Sequence, residues 1–364
     1  MRLLWRFLCL TLIYMHFVCI IIVLFLWMEV IRMKRVIALL PLPLALLLRL
    51  FALSHPKWVE TFFSGGIYPK LAAPVSRAFR VVSFPLGEIL VVIFLLFCIY
   101  LLFRKRFFAA TALFLVLPAV FIGGFGLNYL RLPLEKTLSI DTRPMPVSTL
   151  VALCEKLTRD ANGRYAEPSG DLLLPAGDAL NAAAGHYPIP KGKFGAPKFA
   201  LSSPLLSRFL IAGITSPFTL EALVNGGIPE VSIPFVACHE SAHLRGFARE
   251  EDANLVAYLA CEFSNDPYYR YSGAISALQY AQRALREADP EAYGAVCRMV
   301  SENVLRDLSA CDVYWAAFRQ TKAAEVGARV NDAYLQTVGG GDQSGRSYGR
   351  VVDLLLGIYA EEAK

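Results

Sequence analysis

Four long apolar runs crowd into the first third of the chain, and they restrict what it can fold into more than any other feature. They cover about residues 8–28, 36–53, 86–103 and 107–127. A helix needs about 17–25 such residues to cross a hydrocarbon core ~30 Å thick, so each run is a candidate span. The first, "LCLTLIYMHFVCIIIVLFLWM", carries one histidine and no formal charge, and the second is interrupted only by Arg49. A buried helix of a soluble protein is the competing reading, and the length and lack of charge of the last two runs weigh against it. The expectation is a multi-span α-helical membrane anchor over residues 1–130, with the lipid bilayer as its partner.

Charge divides the chain at the same place. Residues 1–130 hold 13 Lys/Arg against 3 Asp/Glu, a net of +10, whereas residues 131–364 carry a net of −4. The basic balance therefore belongs to the membrane part and gives no reason to expect nucleic acid as a partner. Basic clusters beside spans stay in the cytoplasm. "RMKR" (Arg32 to Arg35) and "RKR" (Arg104 to Arg106) then place everything after about Leu130 outside it, in a multi-pass protein of the cell membrane. The loop from Ser54 to Pro85 runs against this, since it is expected outside yet carries Lys57, Lys70, Arg77 and Arg80 against Glu60. Met33, followed by Lys34, Arg35 and an apolar stretch, has the form of a natural N-terminus, which leaves three or four spans with the same sidedness.

From Asn128 onward the composition is that of a globular domain, assigned to residues 131–364 and large enough for one sizeable core. Five of the eight cysteines fall there without CxxC spacing and read as small core residues, with room for one pair at most. "STLVALCEKLTRDAN" has helical spacing, with Ser148 as a cap. Glycine and proline are dense from Glu167 to Phe199, which predicts loops, and "GITSPFTLEALV" does not separate strand from helix. Helical spacing then predicts helices over Phe235–Arg245, Glu251–Glu262, Ser272–Glu287, Glu291–Lys322 and Ser347–Ala360, with a loop at Gly339–Gly345. The domain is expected to be mainly α, with a small β part ahead of the key helix.

That helix begins the stretch "CHESAHLRGFAREEDAN", Cys238 to Asn254. Residues four apart on a helix share a face, so His239 and His243 can offer two imidazole nitrogens to one ion. Glu240, about 100° round the helix, reaches the open side of that ion and not the ion itself. This is the HExxH arrangement of zinc hydrolases, and a catalytic zinc takes a third protein ligand. Arg249 stands where a third histidine would have to be, and a cation cannot serve. The charges from Glu240 to Asp252 exclude a site inside a spanning helix. What remains is a carboxylate returning from the next helix: Glu250, with Asn254 one turn on to orient a histidine, Gly246 allowing the chain to double back, and Glu251 and Asp252 as fallback ligands. The competing reading is a solvated charged face made by Glu240, Arg245, Arg249 and Glu251.

The chain resembles an uncharacterised family of bacterial membrane-anchored zincin-like proteins, catalogued only as a domain of unknown function. The likeness covers nearly everything after about Leu53. It rests on "YPKLAAPVSR", "FPLGEIL", "GLNYLRLPLE", "GAPKFALSS", "SPFTLEALVN", "PFVACHESAHLRGFAREEDANLVAYLAC", "YYRYSGAISALQY" and "RSYGRVVDLLL". The resemblance implies a gluzincin-type metallopeptidase fold (α+β, mainly α), zinc on His239, His243 and Glu250, and Glu240 as the catalytic glutamate. It implies no substrate. At Asp252 the family more often has glutamate.

The function expected is that of a membrane-anchored zinc metallopeptidase acting on a protein or peptide near the membrane. Glu240 would serve as general base toward a water activated by Zn²⁺. Tyr271, His186, Tyr348 and Arg346 have the chemistry to stabilise an oxyanion, Tyr271 foremost, and each is individually more often structural. "SPFTLEALVN" could be an edge strand that pairs with extended substrate, flanked by Glu221 and Asn225. The alternative is a non-catalytic sensor or scaffold stabilised by zinc. A closed structural site would need a fourth protein ligand, and Cys238 points about 100° away from His239. Hydrolysis of a non-peptide bond is a third possibility, and oligomeric state is not legible.

Overall fold

The computed structural model describes residues 38–338 and 349–362. The expected span at 8–28, the "RMKR" cluster, the Gly339–Gly345 loop, Arg346 and Tyr348 lie outside the described residues. Two described helices are long and apolar enough to cross a membrane, Leu86–Phe103 and the continuous helical run Phe107–Leu130. The second expected span is represented by α1 (Pro41–Ser54), 14 residues long and short for a crossing. The helices α3 (Leu86–Phe103) and α4 (Phe107–Gly123) form a hairpin closed at Arg104 to Arg106, and α1 packs along α4.

The stretch from Ser54 to Pro85 is not a loop. A wide π-type turn over Val59–Ile67 runs directly into α2 (Tyr68–Arg80). Gly65 and Gly66 sit in the wide turn, where an added Cβ at Gly65 would come within 2.9 Å of the Glu60 carbonyl oxygen. This collar packs against the 3₁₀ segment Phe125–Leu130 in a hydrophobic cluster of its own, made by Ala52, Val59, Phe63, Tyr68, Phe125, Tyr129 and Ala248. Two buried ties reinforce it: the Arg131 guanidinium forks onto Glu60 at 2.6 and 2.8 Å, and the Ser64 hydroxyl donates to Asn128 Oδ1 at 2.8 Å. The Arg131–Glu60 pair and the seat of Ala248 in the cluster join this collar to the chain after residue 130.

The rest is mainly helical, as expected. A long helix α5 (Val147–Gly163) starts after Pro146, with Ser148 inside it and no side-chain cap. The glycine- and proline-rich stretch contains one helix, α6 (Ala176–Ala183). Three short strands follow, β1 (Lys198–Phe199), β2 (Gly213–Thr215) and β3 (Ala222–Val224), in the order β1-β3-β2. β3 is parallel to β1 and antiparallel to β2. The candidate substrate strand in "SPFTLEALVN" is therefore the central one, with both edges occupied, and β2 is an outer strand.

The key helix α7 (Ile233–Leu244) has eleven of its twelve residues buried. "IPFVACHESAHL" is apolar or small around most of its circumference, as a helix enclosed on all sides must be. It is enclosed by α6, α8 (Glu250–Glu262), α9 (Pro267–Ala288), β2 and β3. The packing of α8 on α9 depends on Gly273, where a Cβ would lie 2.4 Å from Cys261 Cβ. Asp266 caps α9 by accepting from Tyr268 N at 2.8 Å. The single helix expected over Glu291–Lys322 is two, α10 (Pro290–Cys297) and α11 (Glu302–Arg319); α12 (Lys322–Val338) and α13 (Arg350–Glu362) follow. The six described cysteines are free thiols.

Candidate metal centre

The end of α7 builds the site. Gly246 takes a positive φ of 88°. Its N–H bonds the His243 carbonyl at 3.0 Å, and Phe247 N–H reaches back to Ala242 at 3.2 Å. This is the paired terminus that a left-handed glycine permits. An added Cβ there would meet Asn128 Oδ1 at 3.0 Å as well. The turn delivers two things. It returns the chain at once into α8, whose first residue is Glu250, and it points the Phe247 carbonyl at His243 Nδ1, 2.7 Å away.

That carbonyl can only accept, so Nδ1 of His243 carries the hydrogen and Nε2 offers a lone pair. Burial lowers the pKa of His243 to about 4, with Glu250 opposing and His239 assisting, so the ring is neutral. His243 Nε2 stands 3.1 Å from His239 Nε2 and 3.7 Å from Glu250 Oε1, and His239 Nε2 stands 3.2 Å from Glu250 Oε2. Donors held at about 2.0–2.1 Å from a tetrahedral zinc are about 3.3–3.4 Å apart, close to the spacing of the two Nε2 atoms from each other and from the Glu250 carboxylate. His239, His243 and Glu250 are also the one group of this kind among the described residues. The residues present therefore fit a zinc ion.

For His239, burial opposes protonation and the hydrogen-bonded Glu250 outweighs it, so its pKa is raised. For Glu250, burial is likewise outweighed by the hydrogen bond to His239 and the charges of both rings, which holds it well below its ordinary value. Its side chain is half exposed, the only open member of the cluster. His239 Nδ1 is buried without a hydrogen-bond partner. Asn254 lies near enough to His239 to favour its charged form, yet its Oδ1 accepts from the Tyr280 hydroxyl at 3.2 Å. The Asn254 amide is positioned to serve the orphaned Nδ1.

Glu240 is buried beside the cluster. Burial raises its pKa to about 7, against the lowering effects of His239 and of Thr215. The Thr215 hydroxyl lies 2.7 Å from Glu240 Oε2 and 3.0 Å from its carbonyl oxygen. Gly213, two residues earlier on β2, leaves room for the carboxylate; a Cβ there would be 2.5 Å from Oε1. β2 thus lines the Glu240 side of the site.

The solvated-face reading is not supported. Of its members, Glu240, Arg245 and Glu251 are buried, at 3%, 1% and 9% exposure. Arg245 donates to the carbonyls of Pro190 and Gly177 at 2.9 and 3.2 Å and lies over the Phe194 ring, and burial lowers its pKa to about 10. Asp252 accepts from Leu134 N at 3.0 Å and pairs with Arg249, and Glu251 faces Arg350, so neither fallback ligand is in the cluster. Tyr271 donates to Asp307 at 2.7 Å and His186 stacks on Phe263. Tyr271 is nine residues from Tyr280 along α9, a rise of about 13 Å, and Tyr280 is the tyrosine beside Asn254 and Glu250. Glu221 and Asn225 are tied up in the sheet, on Lys198 and Ser207. Thr215, Gly213 and Tyr280 were not legible beforehand, since all three join the site through tertiary packing. The Phe125 ring completes the wall, 6.5 Å from that of His243.

The model of a family described as "Protein of unknown function (DUF3810)" matches residues 63–356, and the chain belongs to that family. No curated protein and no solved structure matches it.

Proposed function

We propose that this member of the DUF3810 family is a membrane-anchored zinc metallopeptidase. The observation that carries the reading is the convergence of His239 Nε2, His243 Nε2 and Glu250 within 3.1–3.7 Å of one another beside a buried glutamate. His239, His243 and Glu250 would hold the ion, with Glu250 on the solvent side. Zinc, when bound there, supplies an activated water and polarises the scissile carbonyl. Glu240 takes the proton from the attacking water and delivers it to the leaving amine. A carboxyl near pKa 7 suits both halves of that transfer. Thr215 fixes the carboxylate, and its strand β2 has a free edge on which an extended peptide can pair. Tyr280 is the candidate donor to the developing oxyanion.

A closed structural site, as the sensor or scaffold alternative requires, would have no use for Glu240 in that position. The helices α3 and α4 are read as crossing the bilayer, with Arg104 to Arg106 on the cytoplasmic side and the metal centre on the other. The test is peptide hydrolysis by the full chain in liposomes. Activity should vanish on chelation, return with zinc, and be missing from Glu240→Gln at full zinc content. Equal hydrolysis by wild type and Glu240→Gln removes the mechanism.

A further inference from the structure

Both candidate spans run into the metal centre at the same end of their hairpin. Phe125, whose ring contacts His243, lies within the apolar run Phe107–Leu130 itself. On the other side, the first turn of α3 is bound to the sheet that carries β2. The Glu221 carboxylate accepts from Leu86 N at 3.1 Å and Gly87 N at 2.6 Å. Lys198 Nζ bonds Glu221 at 2.7 Å and the carbonyls of Phe79 and Phe84 at 2.7 and 3.0 Å. Glu88 accepts from Leu201 N at 2.7 Å, and from the amide and hydroxyl of Ser202. Gly87 sits against Ser216, next to the Thr215 that holds Glu240.

A second observation concerns the surface between these ties. Phe199, Leu201, Leu205, Leu210, Ile214 and Phe218 are exposed large apolar side chains, with Leu201 at 61% and Ile214 at 45%. They fall within twenty residues of chain, on the segment bound to Leu86–Glu88. Ile214 points away from Glu240 on β2, while its neighbours Gly213 and Thr215 face it. Leu201 and Leu205, beside the Glu88 tie, leave an apolar surface open to a partner. Its continuity with the first turn of a spanning helix says what covers it: lipid at the level of the headgroups, where apolar side chains dip ~5–10 Å into the acyl boundary.

We infer that the metal centre works at the bilayer surface, and that its substrates are peptide segments directly flanking a membrane-spanning or lipid-anchored stretch of another protein. This rests on the peptidase reading. A site bracketed by the ends of two spans lies where such segments emerge, and anchoring in the same bilayer raises their local concentration without any added contact. A free peptide gains neither advantage.

The experiment has two arms, both on the full chain in proteoliposomes with zinc. In the first, a fluorescent non-natural residue replaces Leu201, Ile214 or, as an aqueous control, the exposed Arg159 of α5. Quenching by lipids brominated in the upper acyl chain should be several-fold stronger at Leu201 and Ile214 than at Arg159. Equal quenching at all three overturns the placement at the interface, whatever the protein hydrolyses. In the second arm, one mixed-sequence peptide library is presented free, or attached to a transmembrane helix through a short or a much longer spacer. The short-spacer form should be cut at least about tenfold faster than the free form. Equal rates for all three forms overturn the substrate class while leaving the peptidase intact. No cleavage of any form above the Glu240→Gln background overturns the peptidase reading and the substrate class together, and the quenching arm still reports where the site sits.

Discussion

Two clusters in this protein join carboxylates to nitrogen groups, and they are built in opposite ways. At Glu221 every acceptor meets a donor: Oε1 receives Lys198 and Leu86 N, Oε2 receives Gly87 N, and the other Lys198 hydrogens go to two carbonyls. At Glu250 the carboxylate faces two imidazole Nε2 atoms that hold at most one proton between them, because the hydrogen of His243 is committed to Phe247. A satisfied cluster fastens two elements together. A cluster of converging lone pairs is stable only when a cation supplies what the protein withholds. The first fastens the sheet to α3, and the second is the candidate metal site.

This contrast can be broken from either side. The largest effect is expected at Glu240→Gln, which removes the base and keeps the ligands: turnover should fall on the order of 10²–10⁴-fold, with metal content unchanged. Lys198→Met attacks the closed cluster. It leaves Glu221 buried and short of its charge partner (the pair is 3% and 2% exposed), which should cost about 3–5 kcal/mol in denaturant unfolding. The folded fraction should still bind one zinc per chain. Asn254→Ala leaves the ligands in place and removes the group beside His239, so metal affinity should drop about 10–100-fold in a competition titration. The smallest change is Gly213→Ala, whose Cβ pushes on the Glu240 carboxylate. Turnover should fall by about tenfold with zinc affinity unaltered, the cost of a small misplacement of the base.

The cluster of His239, His243 and Glu250 was legible because its geometry is local. His239 and His243 are one helical turn apart, Gly246 ends the helix in the only way that returns Glu250 to them, and these spacings are visible in seventeen residues. The sheet partner of Glu240 was not legible, since the pairing of β2 with β3 and the contact of Thr215 are set by packing that periodicity does not report. The same holds for the collar. Residues 54–85 carry four basic groups and two prolines at helical positions, Pro69 and Pro74, and read as a loop. They fold as a helix because Phe63, Tyr68 and Ala72 bury against Phe125 and Tyr129, and because Glu60 meets Arg131. The oxyanion candidate shifted by nine residues along α9, from Tyr271 to Tyr280, for the same reason. Which tyrosine faces the site depends on how α9 lies on α8, and Gly273 decides that.

Because the collar is part of the metal centre's surroundings, a fragment beginning at residue 131 would lack Asn128, Phe125 and Glu60, and the full chain is the material to measure. The most direct measurement is its zinc content after purification in detergent and dialysis against a weak chelator, compared with His243→Ala. The account predicts about one zinc per wild-type chain and background in the variant, with both folded. Wild-type protein that retains no more zinc than His243→Ala would contradict it.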